Sequence, residues 1–334
     1  MTRAAAPSLS VVLACTAGVD SVETTIRHLA RQTIAARIEL VVVGVSDARC
    51  ALPPDLAAAF WAERFVPVGS LGSIARANAA GVRAARAPVV ALAEDHCFPE
   101  PEWAAALVEA HQGPWAAVGP ALANANPGTA VSWADFLIGY GPWAEPIASG
   151  EAPFLPGHNS SYKREVLLGY GDRLEAALEA ETVLHLDLRA RGHRLFLCSA
   201  ARARHVNFSL LRSWLRVQVH NGRVFAGARA EGWSAPRRAL YAAASPLIPL
   251  VRLRRCARVA RRLGPAHPRA RRALPVLAVG LALDGAGQML GYALGAGSSG
   301  RALARFEFRR IDHVRGADRA AFAAPGPVAR PTRA

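Results

Sequence analysis

Ser8–Ala14, Ile38–Val43 and Pro88–Ala93 are short, valine-rich runs with almost no polar interruption. Runs of that length and apolarity suit strands buried on both faces, as in a parallel sheet. Stretches with a helical period separate them. From about Ser21 to Gln32, Val22, Ile26 and Leu29 share one face. Pro54–Glu63, Ala75–Arg86 and Glu100–His111 read as further helices. Trp115–Leu122 and Arg194–Cys198 add strands, Arg173–Arg191 reads as one long helix ending at Gly192, and Leu210–Ala230 is helical. Strands alternating with helices predict an α/β fold, a mostly parallel sheet flanked by helices. Such sheets bind ligands beyond the carboxyl ends of their strands. No GxGxxG follows the first run, which argues against a common nicotinamide or flavin fold.

Composition narrows the class. At 334 residues, 52% hydrophobic and 19% charged, the chain has ample material for a core and is not a disordered polymer. Arginine and lysine total 40 against 25 acids, a formal charge of +15, and Lys163 is the sole lysine. It lies in no GxxxxGK context, so a phosphate-loop lysine is excluded. The charge is concentrated: 235–283 holds eleven arginines and no acid. Aromatic residues are sparse there, which disfavours nucleic acid, whereas arginines beside the apolar segments Ala239–Leu253 and Leu274–Gly297 suit an anionic membrane surface. Both segments carry prolines or polar residues, so an interfacial helical pair is expected rather than clean spans. The boundaries expected are 1–232 for the α/β domain, 233–300 for a basic and apolar membrane-associating helical extension, and 301–334 for a C-terminal tail. The five cysteines form no CxxC pair, which predicts no disulfide framework and a reducing compartment.

Several residues at predicted strand ends carry chemistry. Glu94-Asp95-His96 closes the third apolar run and offers hard ligands to Mg2+ or Mn2+; its plainer reading is a helix-capping turn. Asp47 follows the second run and suits either a turn or a hydrogen bond to a base or sugar. Arg76 and Asn78 sit two apart on one helix and so do not share a face. Glu179 and Glu181 are candidate general bases or an ordinary charged face. His205, after Arg202 and Arg204, suits a metal or phosphate, or a structural role.

Taken together, these residues resemble the inverting glycosyltransferases of family 2, which have the GT-A fold. Ser8–Val12 with Cys15-Thr16 looks like the family's opening strand and nucleotide loop, and Val41-Val42-Val43 to Asp47 like its second strand and base-binding aspartate. Ser73-Ile74-Ala75-Arg76-Ala77-Asn78-Ala79-Ala80-Gly81 resembles its ARNxG helix. Glu94-Asp95-His96 stands at its metal-binding DXD, Gly157-His158-Asn159-Ser160-Ser161-Tyr162-Lys163-Arg164-Glu165 at its acceptor loop, and Glu181, eleven residues before Gly192, at its base. The resemblance covers about Ser8 to Ala230. It implies Glu181 as catalytic base. Thr16, Asp47, Arg76, Asn78 and Glu94 would bind the donor, and Gly157, His158 and Asn159 the acceptor. Asp95, His96 and His205 would hold Mn2+ or Mg2+. The implied partners are a nucleotide-sugar donor, a glycan or lipid-linked acceptor and an anionic membrane surface, with no nucleic acid, at the cytoplasmic face of the membrane. The competing readings are a non-catalytic membrane-associated binding protein on the same fold, and a nucleotidyltransferase.

Overall fold

The computed structural model describes residues 6–15, 18–45, 52–69, 71–323 and 325. Nine strands make one sheet: β1 (Leu9–Cys15), β2 (Ile38–Gly44), β3 (Ala62–Pro67), β4 (Val89–Ala93), β5 (Cys97–Pro99), β6 (Trp115–Asn124), β7 (Gly150–Glu151), β8 (Ser161–Lys163) and β9 (Arg194–His205). Their order is β3-β2-β1-β4-β8-β6-β9-β5, with β7 also on β9. β1, β2, β3, β4, β6 and β9 all run one way; the short β5, β7 and β8 run against their neighbours. The longest strands thus deliver their carboxyl ends to the same edge.

The apolar runs are continuous because both faces are covered. On β1, Leu9, Val11 and Leu13 enter one core and Val12 the other; on β4, Val89 and Ala91 oppose Val90 and Leu92. Helix α1 (Glu23–Ala30) lies in the first layer and α2 (Ile74–Ala84) in the second. α2 is capped by Ser73, whose Oγ accepts from the Arg76 amide at 3.2 Å. Its Gly81 lies directly on β1: a Cβ there would meet the Val12 side chain, Cγ2 at 2.9 Å. Helices α3 (Trp103–Ala110) and α4 (Ala130–Gly139) complete the first layer, and α5 (Glu181–Ala190) packs in the second.

Two expected helices divide. Pro54–Glu63 forms only the short helix Pro54–Ala57, after which the chain turns into the edge strand β3. β3 finds a free parallel edge on β2 for its backbone groups, which outweighs continuing a helix whose large buried side chains are only Leu56 and Phe60. Arg173–Arg191 breaks at Glu179-Ala180. Leu174–Leu178 ends, Ala180 adopts extended angles (φ −145°, ψ 92°), and α5 restarts at Glu181. Among the cysteines, Cys97, Cys198 and Cys256 are free and buried, while Cys15 is disulfide-bonded, contrary to the expectation from spacing.

The C-terminal third is helical: α6 (Leu211–Arg229), α7 (Ala235–Ala244), α8 (Ile248–Leu263), α9 (Leu274–Leu294) and α10 (Ser299–Glu307). α9 is the one described helix long and apolar enough to cross a membrane, and 44% of its apolar window is buried within the protein. It lies along α6 through glycines. A Cβ on Gly222 would strike the Asp284 carbonyl, one on Gly287 the Val219 carbonyl, and one on Gly291 would sit 2.5 Å from the Arg223 carbonyl. Asp284 on α9 pairs with Arg252 on α8 and accepts from Gln288 at 2.8 Å, so the polar residues of the apolar helix face protein. The segment expected as a tail begins inside α10 and continues in short turns on the α/β domain. The Ser209 amide donates to the His313 carbonyl at 3.2 Å, the Arg315 amide to Ser209 Oγ at 2.8 Å, and Thr24 Oγ1 to the Phe322 carbonyl at 2.7 Å.

Because Gly222 meets backbone rather than a flexible side chain, Gly222→Val forces α6 and α9 apart. The expected loss is about 1–3 kcal/mol, the scale of overpacking. It is read as a lowered denaturation midpoint; an unchanged midpoint would remove the glycine contact from the account.

Candidate active site

Glu94 is the first residue past β4 and is buried. Its carbonyl accepts from Thr25 Oγ1 on α1 at 3.0 Å, which fixes the strand end. Its side chain accepts from Asn159 Nδ2 at 2.7 Å, with His205 Nε2 at 3.4 Å from the same oxygen and His96 Nε2 at 3.7 Å from the other. Burial alone would raise the Glu94 pKa; the facing histidines outweigh it and hold the carboxyl well below its usual range.

His96 and His205 both present Nε2 to Glu94, and neither Nε2 has a hydrogen-bond partner although both are buried. Their other nitrogens explain this. Asn207 donates through Nδ2 to Asn124 Oδ1 and to the His205 carbonyl, each at 3.0 Å, so its Oδ1 is free to accept from His205 Nδ1 at 3.0 Å. His205 Nδ1 therefore donates to Asn207, and its Nε2 is aimed into the site. His96 Nδ1 is 2.6 Å from Asp95 Oδ1. Burial, aided by the Arg310 charge, pulls the His96 pKa down to about 3, so the ring is neutral and donates to Asp95. Asp95 itself is pushed up to about 7 by burial and the Glu94 charge.

Glu94, His96 and His205 thus offer ligand atoms within 4.8 Å of one another. A carboxylate and two buried imidazole nitrogens without hydrogen-bond partners fit a divalent cation, each histidine oriented from behind by an oxygen acceptor. Of the residues expected to hold metal, His96 and His205 are in this cluster. Asp95 lies behind His96, and Glu94, expected on the donor, takes the cluster's carboxylate position.

The turn Gly157–Asn159 joins this cluster to a second carboxylate. Asn159 reaches Glu94, and the neighbouring His158 Nδ1 forms an ion pair with Glu181 Oε1. A Cβ on Gly157 would sit 2.9 Å from Glu181 Oε2, so only glycine allows this approach. Glu181 is the first residue of α5, where the helix amino terminus favours a negative charge. Burial lowers the His158 pKa, but the Glu181 charge and hydrogen bond outweigh it and lift it to about 10. Glu179, just before the break, borders the same large cavity but lies against α10 rather than the Gly157–Asn159 turn: a Cβ on Gly300 would meet its Oε1. It lines a smaller cavity of about 320 Å³ with Ser73, Arg76 and Arg301. Arg76 is exposed there, whereas Asn78 is buried inside α2. Thr16 and Asp47 lie outside the described residues.

Motif reasoning missed Glu307 and Arg310. Glu307 ends α10 with Oε2 3.6 Å from His96 Nε2. Arg310 is buried, pairs with Glu307, lies 3.6 Å from Asp135 Oδ2 and stacks 3.7 Å over Phe208. Only the amphipathic period of 299–307 hinted at a packed helix. Glu94, His205, Glu181, His158, Glu307 and Arg310 all border one cavity of about 1090 Å³.

No family model and no curated protein matches the chain. Solved structures similar to it include S. aureus TarS, at 14% identity and TM-score 0.44, covering 82% of this chain and 55% of that one. S. aureus TarS 1-349 in complex with UDP aligns at 15% identity and TM-score 0.45, covering 86% and 92%. The mannosyltransferase PcManGT from Pyrobaculum calidifontis, in complex with GDP-Man and Mn2+, aligns at 17% and 0.46, covering 89% and 86%. The chain spans about half the length of the full TarS chain.

Two outcomes follow from the geometry. His96→Ala or His205→Ala should abolish Mn2+ binding measured by calorimetry, while Asp95→Asn, acting only through His96, should weaken it by about 10–100-fold. Equal affinity in all three would remove the cluster as a metal site. The His158 pKa, raised from 6.5 to about 10, makes the His158–Glu181 pair fully stabilising below pH 6.5 and progressively lost as pH rises to about 10. His158→Gln should flatten the urea midpoint across that window; a slope unchanged from wild type would contradict the pairing.

Proposed function

We propose that the chain is a metal-dependent glycosyltransferase that moves a sugar from a nucleoside-diphosphate donor to an acceptor hydroxyl with inversion. One observation carries this reading. Beyond the carboxyl ends of the strands, a single three-residue turn ties the Glu94, His96 and His205 cluster to the separate carboxylate Glu181, and Glu94, His205 and Glu181 border one cavity. Glycosyl transfer by single displacement needs those two functions on opposite sides of the sugar: charge stabilisation at the leaving diphosphate and a base at the incoming hydroxyl.

In this mechanism Glu94, His96 and His205 hold the cation, which when bound supplies charge neutralisation to the diphosphate. The two imidazoles suit Mn2+ better than Mg2+, which prefers an all-oxygen shell. Arg310 adds positive charge at the cavity wall. Glu181 takes the proton of the acceptor hydroxyl. In the structure it is held by His158, so the acceptor must displace or share that contact before Glu181 can act. Arg76, Thr16 and Asp47 remain donor contacts by the family resemblance; Asn78, buried inside α2, would position that helix instead. The arginine-rich, acid-free stretch and the exposed Leu240, Leu247 and Leu250 support a place at an anionic membrane surface.

Glu181→Gln should reduce turnover by about 100-fold or more with donor affinity nearly unchanged, because the base touches only the acceptor. Glu179→Gln should turn over near the wild-type rate. Rates at saturating donor decide it: an active Glu181→Gln enzyme would remove Glu181 as the base.

A further inference from the structure

Glu307 has no part in the transfer itself, yet it costs the fold to keep it. It is the last residue of α10, and the carbonyl end of a helix disfavours a negative charge. Its Oε2 lies 3.6 Å from His96 Nε2, a buried nitrogen with no hydrogen-bond partner, and Glu94 Oε1 lies 3.7 Å from the same nitrogen. His96 donates through Nδ1 to Asp95, so at Nε2 it can only accept. An acceptor thus faces two carboxylates, an arrangement that repels itself until a cation stands among them. The spacing is that of shared ligands. Two ligand atoms on one cation at about 2.1 Å stand roughly 3.0–3.5 Å apart. Glu94 and His205 are 3.4 Å apart, and the two contacts of His96 are close to that. Glu94, His96 and His205 all lie within 4.8 Å of one another; Glu307 stands outside that set, at His96, with the same oxygen paired to Arg310. Arg310 does not depend on that pair. It stacks on Phe208 and lies 3.6 Å from Asp135, which is itself fixed by the Phe208 amide at 2.9 Å and Trp214 Nε1 at 3.0 Å.

We propose that Glu307 is the fourth protein ligand of the cation: on metal binding its carboxylate turns from Arg310 to the ion, and Arg310 stays on Asp135. This rests on the metal-dependent reading of the cluster. The shell then draws Glu94 and His96 from the turn after β4, His205 from the end of β9 and Glu307 from α10, so the metal fastens the helical third to the sheet. Mn2+ takes about six ligands, which leaves room for two oxygens of the donor's diphosphate.

The test is calorimetric titration of the full chain with Mn2+ and no donor. The waters left on the bound ion are counted by electron–nuclear double resonance in isotopically labelled water. Glu307→Ala should weaken Mn2+ by about tenfold or more, at least the scale of losing an outer-shell partner, and should add one bound water. Glu307→Gln, which keeps the side chain's shape, should weaken it as well. Arg310→Gln should keep the wild-type water count and bind Mn2+ at least as tightly, since it removes a nearby positive charge and frees Glu307. An unchanged water count in Glu307→Ala, with Mn2+ still bound, would overturn the fourth ligand and leave the metal site intact, any loss of affinity then being an effect of charge alone. A clear loss of Mn2+ affinity in Arg310→Gln would also overturn it, because Glu307 would then act only through Arg310. A wild-type chain that binds no Mn2+ would remove the metal-dependent reading itself, and the fourth ligand with it.

Discussion

A carboxylate kept ionised inside the protein is the constraint on which the rest of the site depends. Glu94 is 6% exposed, and an unpaired ion at that depth costs several kcal/mol. It accepts a direct hydrogen bond from Asn159, and the Nε2 atoms of His205 and His96 lie 3.4 and 3.7 Å from its two oxygens. Each of those groups is positioned by a different part of the fold: Asn159 by the turn before β8, His205 by the end of β9, His96 by the turn between β4 and β5. The short antiparallel β8 matters for this reason. It wedges between β4 and β6, and so brings the Gly157–Asn159 turn alongside Glu94.

The helical third acts on the same centre from the other side. Its glycine contacts let α9 lie close on α6, and the chain then returns through α10 to place Glu307 and Arg310 against His96 and Asp135. Arg310 pairs with Glu307 and Asp135 and depresses the His96 pKa, so the segment that follows α10 influences the protonation of the cluster. The wall of the cavity is therefore shared between the α/β domain and the helical third, and each contributes both polar and apolar side chains.

Much of this was legible from residue order. Strands buried on both faces leave a distinctive signature, and Glu94 and His205 were found because they follow such runs. Gly81 and Gly157 stand in motifs for reasons the packing makes plain, one against Val12 and one against Glu181. The break at Ala180 was not legible, since alanine is a strong helix former and the interruption is imposed by the fit of Glu181 against Gly157 and His158. Nor was the direction of Asp95, which depends on the turn after β4. Glu307 lies more than 200 residues from His96 in sequence, and no local pattern encodes a contact of that range. The disulfide at Cys15 was missed because cysteine spacing alone carries no distance information.

The central claim is that one cavity binds a nucleotide sugar through a cation held by Glu94, His96 and His205. Thermal unfolding of the full chain with a panel of UDP-, GDP- and dTDP-sugars, with and without Mn2+, tests it most directly. A ligand at 100 times its Kd stabilises by about 2.7 kcal/mol through mass action alone. The account predicts a rise in melting temperature for at least one donor that requires Mn2+ and vanishes in His205→Ala. No donor-dependent shift, or one indifferent both to Mn2+ and to His205, would contradict it.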